Sequence, residues 1–416
     1  MNPTAMRPAA ALLRTARRAA RPLARSVRRH VLPRILPEAA HAFPHPASRM
    51  RVVGLLSSAS GLGESARLCS RTLAEDGCRV SGVNVAGLFD SDDGVPFPAG
   101  AADAGADVAL YHLNPPMLLP SILRAGLLRH ARTYSIGYWA WELETLPAEW
   151  VSAIRFVDAV LVPSRFCQAA LRAYTDKPVL VVPHPVDAAG PAPAATRAER
   201  FRVLSIFNFG SSYRRKNPTA LVQAFRAAFG EDEGAELILK VGDGARYPAE
   251  RSQILAEIQG LPNVRLIDEV WTREQVQELV ASAEAYLSLH RSEGFGLTLA
   301  EAILCGVPVV ATNWSGNTDF CLPALCYPVD YTLVPFHDPH PAYAGLGEAR
   351  WAEPSVAHAA HQLRRVRDER DAARAKAAAL RDALVGHLRR HSYREALARL
   401  AAPQGEAAGA AAPALR

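Results

Sequence analysis

Residues 287–319, LSLHRSEGFGLTLAEAILCGVPVVATNWSGNTD, constrain the fold of this 416-residue chain more than any other segment. The apolar stretch 284–289 predicts a buried strand, which a loop at 290–296 follows. A helix is predicted to begin at Leu297 and to stop at Gly306, where glycine is the usual terminator. A second apolar run at 307–311 predicts another strand. This strand–helix–strand order indicates a parallel α/β sheet.

The loop before this helix is suited to bind an anion. The first N–H groups of a helix lack partners and carry partial positive charge. Gly294 and Gly296 let the backbone approach a ligand closely. Glu293 and Glu301 add carboxylates, which suit hydroxyl groups better than phosphate. The segment therefore predicts a ligand that carries both phosphate and hydroxyls, as a nucleotide sugar does. The alternative is an ordinary strand–helix turn with a capping acid.

The string from Glu293 to Glu301, followed by Gly-Val-Pro-Val-Val from Gly306, resembles the paired-glutamate signature of retaining glycosyltransferases of family 4. That resemblance implies the GT-B fold: two Rossmann-like domains with a cleft between them and a C-terminal helical segment. It also implies a catalytic-site role for Glu293, which would contact hydroxyls of the donor sugar rather than act as a nucleophile. Glu301 would hold the ribose. The implied donor-binding residues of the loop are Gly294, Phe295, Gly296 and Leu297.

The rest of the chain alternates between strand-like and helix-like patterns, which places it in the α/β class. A linker rich in small residues separates two such series. The predicted segments are a basic arm and linker (1–48), an acceptor-side Rossmann-like domain (49–187), a linker (188–200), a nucleotide-sugar-binding Rossmann-like domain (201–353), C-terminal helices (354–401) and a disordered tail (402–416).

A cluster of cations follows the first strand of the second series. Arg214, Arg215 and Lys216 lie in a predicted strand-to-helix loop just before Pro218, where they can meet phosphate oxygens. The family resemblance implies an arginine–lysine pair that clamps the donor diphosphate, and Arg215 and Lys216 match it best. The usual spacing, with the arginine about five residues before the lysine, is not reproduced. Solvated cations that cap a loop are the alternative.

Two features of the first series are further candidates. Gly61 and Gly63 follow the first strand, at the position of the glycine-rich loop that faces the donor phosphates in GT-B enzymes, although a tight turn would need the same residues. His112 ends a strand on the carboxyl side of the sheet, where ligands of α/β folds bind. The resemblance implies a catalytic-site role for His112, and a structural histidine is the alternative.

The aromatic string 137–144 contains Trp139, Trp141 and Glu142. These residues either belong to the core or line an acceptor-sugar pocket. The string resembles a Trp-Glu motif of some polysaccharide-assembly members of the family, which favours a bacterial glycan acceptor.

No cofactor or metal is expected. The acidic cluster at Asp90, Asp92 and Asp93 reads as a turn, and GT-B transferases generally use protein cations in place of a metal. The six cysteines show neither paired spacing nor zinc-type histidine partners, so reduced thiols are expected.

The basic arm 1–34 contains nine arginines and no acid. The positive charge of this arm alone exceeds the net charge of the whole chain, which is +6. Leucines and alanines recur between the arginines at roughly helical spacing, a pattern that suits an anionic membrane surface. A solvated tail, a nucleic-acid arm, a transit peptide and a misassigned start remain alternatives, and no nucleic-acid partner is predicted. No apolar run is long enough for a spanning helix.

Together these features predict a retaining, metal-independent hexosyltransferase. It would move a sugar from a nucleoside-diphosphate sugar to a lipid-linked or surface glycan of the O-antigen and lipopolysaccharide type. GDP-mannose is the first candidate donor, as for a mannosyltransferase, and UDP-glucose is the second. The expected location is the cytoplasm, with peripheral contact with the inner face of the cell membrane. A nucleotide-sugar epimerase of the same fold and a non-catalytic membrane- or glycan-binding protein are the alternatives.

Overall fold

The structure is a computed structural model that describes residues 26, 31–45, 47–97, 105–186 and 200–402. The predicted arm (1–34), linker (188–200) and tail (402–416) lie largely outside these stretches. The packing of Cα atoms divides the described chain into two compact units. The first unit runs to Tyr138 and includes Ala148–Val160, and the second contains Trp139–Pro147 and the chain from Leu161 onward.

The first sheet has six strands in the order β2-β1-β3-β4-β5-β6. Its pairs β1–β2, β1–β3 and β3–β4 are parallel. All five residues of β3 and of β4 are buried, as in sheets that are covered on both faces. The strands are β1 Arg49–Gly54, β2 Arg79–Asn84, β3 Val108–His112, β4 Tyr134–Tyr138, β5 Ala159–Val162 and β6 Val179–Val181.

The helices of this part include one that begins earlier than predicted. Gly61 and Gly63, expected in a glycine-rich loop, instead form part of the first turn of the helix Gly61–Glu75. The reason is the cap: the side chain of Ser60 accepts a hydrogen bond from the N–H of Gly63 at 3.3 Å. The other helices are Leu32–Ile35, Pro115–Ala125, Leu127–His130, Ala148–Ala153 and Arg165–Arg172.

The second sheet also has six strands, in the order β12-β11-β10-β7-β8-β9, and its neighbouring strands are all parallel. A short antiparallel hairpin, β13–β14, follows it. The strands are β7 Phe201–Asn208, β8 Ala235–Gly242, β9 Val264–Asp268, β10 Ala285–Ser288, β11 Val309–Thr312, β12 Tyr327–Val329, β13 Tyr331–Pro335 and β14 Arg350–Pro354.

Helices cover both faces of the second sheet. Neighbouring residues of β7 point to opposite faces, so Val203 enters one apolar cluster and Leu204 the other. The helices Pro218–Phe229 and Val356–Asp368 pack in the cluster of Val203. The cluster of Leu204 contains residues of the helices Arg273–Ala281, Leu297–Leu304 and Arg370–Arg390. The remaining helices of the second unit are Tyr213–Lys216, Pro248–Ile258 and Tyr393–Ala401.

The predicted fold class is confirmed: two parallel six-stranded sheets with helices, followed by C-terminal helices. Within the described stretches, no helix has both the length and the apolar character that a membrane span requires.

Candidate functional site

The glycine loop lies at the carboxyl end of β10 and leads into the helix Leu297–Leu304. Gly296 is the residue before the helix and has φ 95°, a conformation that a side chain would strain. The helix ends two residues before Gly306, which has φ 73°. The first N–H groups of this helix are thus presented beside the loop, as the sequence predicts.

Glu293, in this loop, is paired with both cations of the predicted clamp. The Nη1 atom of Arg215 lies 3.1 Å from its Oε2 atom. The ammonium group of Lys216 donates a hydrogen bond to its Oε1 atom. Glu293 is only 8% exposed, so this three-residue cluster is largely shielded from water. The structure therefore brings together a loop carboxylate and two cations that are far apart in the sequence.

The cations reach Glu293 because the segment that carries them is sharply bent at both ends. In place of the predicted loop, the structure has a four-residue helix, Tyr213–Lys216. Ser212 before it has φ 66° and Asn217 after it has φ 52°, both in the left-handed region. The side chain of Ser212 stabilises the turn by accepting a hydrogen bond from the N–H of Arg215 at 3.1 Å.

The two cations differ in access. Arg215 donates to the carbonyl oxygens of Ser292 and Ser211, each at 2.9 Å, and its side chain is 6% exposed. The Lys216 side chain is 18% exposed. Arg215 is therefore held by fixed protein acceptors, and Lys216 is the more accessible of the two cations.

The electrostatics keep Glu293 ionised. Burial alone would raise the pKa of its carboxyl group, but Lys216 and Arg215 lower it to about 2. Burial lowers the pKa of Lys216, against the attraction of Glu293. For Arg215, burial acts to lower the pKa, but Glu293 and Glu142 outweigh it and raise the pKa. The cluster is thus a carboxylate with two positive partners.

Glu142, predicted on the acceptor side, lies beside the same cluster. Its Oε1 atom is 3.7 Å from Nη2 of Arg215, and its carbonyl oxygen accepts a hydrogen bond from the hydroxyl of Ser292. Burial raises the pKa of the Glu142 carboxyl, although Arg215 opposes that shift. Glu142 and the Arg215–Glu293 pair belong to the same compact unit.

The tryptophans near Glu142 are buried. Trp139 is fully buried and Trp141 is 2% exposed, with its ring centroid 5.6 Å from that of Tyr343. A Cβ added at Gly294 would lie 2.9 Å from the carbonyl oxygen of Trp141, so glycine is needed where these segments meet. Of the two alternatives for the tryptophans, burial favours the core.

Residues that the sequence analysis did not select hold the loop in place. The N–H of Glu293 donates to Oγ of Ser315 at 2.8 Å, and the N–H of Gly316 donates to the carbonyl of Glu293 at 2.9 Å. The fully buried His290 has its Nε2 atom 3.0 Å from Oδ1 of Asn317. Their only sequence signal is the polar string Asn-Trp-Ser-Gly-Asn after β11.

The side chains of Phe295 and Glu301 are the other candidates in this segment. Phe295 is 2% exposed and packs on Phe320, with ring centroids 4.9 Å apart, so its side chain belongs to the core. Glu301 is half-buried in the helix that Leu297 opens. The hydroxyl-binding role of Glu301 stays a prediction.

The first unit contains the candidates His112, Gly61 and Gly63. His112 is fully buried, with Nε2 3.3 Å from Oγ of Ser65 and its ring stacked on Tyr138 at 4.1 Å. A Cβ at Gly63 would lie 2.4 Å from the carbonyl oxygen of Ser58, whereas one at Gly61 would meet nothing within 4 Å. Gly63 is thus required by packing, and packing does not require glycine at position 61.

The described residues contain no group of three or more His, Cys, Asp or Glu side chains placed to hold a metal ion.

Part of the second unit matches a known family. Residues 202–344 match the family described as Glycosyl transferases group 1. Over 110 residues the chain is 34% identical to N-acetyl-alpha-D-glucosaminyl L-malate synthase of Bacillus anthracis. The aligned segment covers 26% of each protein. Over 194 residues it is 29% identical to D-inositol 3-phosphate glycosyltransferase of Nocardiopsis dassonvillei, covering 43% of this chain and 44% of that one. The chain thus spans less than half of the length of these curated relatives.

Solved structures share the fold at low sequence identity. Anabaena HepE in complex with UDP-glucose superposes with a TM-score of 0.60 at 13% identity, over 85% of this chain and 98% of that one. Sucrose-phosphate synthase from Thermosynechococcus elongatus superposes with a TM-score of 0.61 at 14% identity, over 85% of this chain and 97% of that one. The family match is thus to residues 202–344, and the solved structures show that the chain has the GT-B fold.

Proposed function

We propose that this chain is a retaining glycosyltransferase that uses a nucleoside-diphosphate sugar and no metal ion. The observation that carries the proposal is the cluster in which Lys216 and Arg215 share Glu293, beside the N-terminus of the helix Leu297–Leu304. Charged protein donors at this position can replace a metal ion in stabilising a departing diphosphate.

Lys216 is the residue that would contact the donor diphosphate, because it is the more exposed cation. Phosphate oxygens would compete with Glu293 for its ammonium group and form charge-assisted hydrogen bonds. Backbone N–H groups at the start of the helix would bind the same phosphates. Arg215 would stay on its carbonyl acceptors and act as a fixed positive charge that positions Glu293.

Released from Lys216, Glu293 could accept hydrogen bonds from hydroxyls of the donor sugar, and Glu301 could hold the ribose. The acceptor hydroxyl would attack the anomeric carbon from the face that the diphosphate leaves, which retains the configuration. The leaving diphosphate would take the acceptor proton, so this route needs no enzyme base. For His112 we propose a catalytic-site role, and His112→Gln would test it through the rate of transfer.

The choice of donor is proposed from the similarity of the fold to a structure that contains a nucleotide sugar. Because the HepE structure contains UDP-glucose, UDP sugars are the first to test and GDP-mannose follows. The acceptor is proposed to be a lipid-linked or surface glycan of the O-antigen type.

A cytoplasmic location at the inner membrane face is proposed from the basic arm. Eight of its nine arginines lie within residues 1–30, together with leucines and alanines, which suits contact with anionic lipid. Sedimentation with vesicles that contain anionic lipid should carry down the full chain and leave a chain without residues 1–30 in solution. Equal behaviour of the two would remove this part of the proposal.

The activity is tested by NMR of the purified chain with UDP sugars and GDP-mannose, with and without a glycan acceptor. The proposal expects a new glycosidic signal with the anomeric configuration of the donor, and only when acceptor is present. A changed sugar without acceptor would indicate an epimerase instead. Binding of all donors without any chemistry would indicate a non-catalytic protein.

A further inference from the structure

The second unit contains a cavity of about 1120 Å³, and the Glu293, Arg215 and Lys216 side chains do not line it. Its lining includes residues from the first two turns of the helices Pro218–Phe229 and Pro248–Ile258. It also includes residues between 334 and 340, a stretch that begins in β13. The Ser212–Asn217 segment separates it from the Glu293 cluster: Ser212, Tyr213, Arg214 and Asn217 line the cavity, whereas Arg215 and Lys216 pair with Glu293.

The charges on the walls do not favour a phosphate ligand. Two arginines and three acids line the cavity: Arg214, Arg291, Glu250, Asp338 and Glu353. Arg291 is already paired with Glu353 through contacts of 2.6 and 3.0 Å, and Asp338 accepts a hydrogen bond from the hydroxyl of Ser212. A phosphate site needs an excess of cationic donors, which these walls do not offer.

The remaining polar groups suit hydroxyls. The exposed amides of Gln223 and Gln253 and the hydroxyl of Tyr247 line the cavity. Amides and hydroxyls donate and accept hydrogen bonds, as sugar hydroxyls do. The aromatic rings of Tyr213 and Tyr247 offer apolar faces next to these groups, against which the C–H face of a sugar ring can pack.

The volume is above the roughly 300–1,000 Å³ of most small-ligand sites, so it suits several linked sugars better than one. From the size, the balanced charge and the mixed amide and aromatic walls, we infer that this cavity is a binding site for a neutral oligosaccharide. This site is separate from the donor cluster, and the inference does not require the proposed sugar transfer.

The test is calorimetric titration of the full chain, saturated with UDP, with four-sugar oligomers of glucose, of mannose and of N-acetylglucosamine. At least one of them should bind. Replacing both amides, as Gln223→Ala with Gln253→Ala, should weaken that binding about tenfold or more, since two hydrogen bonds are lost. The matched control is Gln259→Ala, which removes an exposed glutamine at the C-terminal end of the helix Pro248–Ile258. This variant should bind the oligomer as the unchanged chain does.

The inference is overturned if no oligomer binds the chain with or without UDP, if an oligomer binds only in the absence of UDP, or if the double variant binds as tightly as the control. Lys216→Ala separates this outcome from the proposed function. That variant should bind UDP at least about tenfold more weakly and keep its oligosaccharide binding. A chain that binds UDP and transfers sugar but binds no oligomer would refute only the second site, and the reverse result would refute only the donor site.

Discussion

The Nη1 atom of Arg215 lies 3.1 Å from Oε2 of Glu293, and both residues are less than one tenth exposed. Lys216 holds the other carboxylate oxygen. The Glu293 carboxylate offsets the cost of removing both cations from water, so its loss would leave them buried without their shared partner. This arrangement links the stability of the loop to the residues that we propose for donor binding.

Glu293→Gln should therefore destabilise the chain as well as stop sugar transfer. The loss of the negative charge leaves two buried cations without their partner, which costs about 3–5 kcal/mol. Urea unfolding measures this cost. Glu278→Gln, an exposed carboxylate on a neighbouring helix, is the control and should be neutral. Equal stability of the two variants would show that the cluster does not hold the loop.

Glu142→Gln should make UDP bind more tightly, by about threefold, the scale of one weak ion pair. Glu142 attracts Arg215, and its removal leaves the cation cluster more positive for an incoming diphosphate. Calorimetry of UDP binding measures the change. If the UDP affinity stays constant while the KM for the acceptor rises, Glu142 acts on the acceptor instead.

Gly63→Ala should cost about 1–3 kcal/mol, because the added methyl group overlaps the carbonyl oxygens of Ser58 and Leu55. Gly61→Ala has open space around its new Cβ and should unfold like the unchanged chain. Thermal unfolding of both variants measures the difference. A large loss of stability in Gly61→Ala would contradict the described start of this helix.

The stability of the chain should fall as the pH drops from about 6.5, the pKa of an unfolded histidine. Burial lowers the pKa of His184 to about 4, so between these values the unfolded state binds a proton that the folded state does not. The free energy of unfolding then decreases with decreasing pH. Glu293 contributes a second decrease in the free energy of unfolding. This decrease begins below about pH 4.3, the pKa of an unfolded glutamate, and is complete near the folded pKa of Glu293, which is about 2.

Urea unfolding between pH 7 and pH 4 checks the histidine part. His184→Gln should reduce the dependence on pH but not abolish it, because burial also lowers the pKa of His130 and of His387 to about 4. Replacement of the exposed His361 by glutamine should leave the dependence unchanged. An identical pH profile for the two variants would rule out His184 as a source.

Most strands could be predicted because each is a short apolar run between turn residues, as in β3, β10 and β11. Pairing between distant residues could not. Nothing local to Glu142 indicates that it lies beside Arg215, since the contact depends on how the chain returns after β4. The hairpin β13–β14 was not predicted, because its residues alternate only weakly between buried and exposed positions.

The role of Lys216 as the accessible donor cation is the central claim, and titration of UDP and GDP into the purified chain tests it most directly. Lys216→Ala is compared with Arg226→Ala, which removes an exposed cation from the following helix. We predict that one nucleotide binds the unchanged chain and Arg226→Ala equally. It should bind Lys216→Ala at least about tenfold more weakly, since a charge-assisted hydrogen bond is lost. Equal binding by all three proteins, or no binding of either nucleotide, would contradict the account.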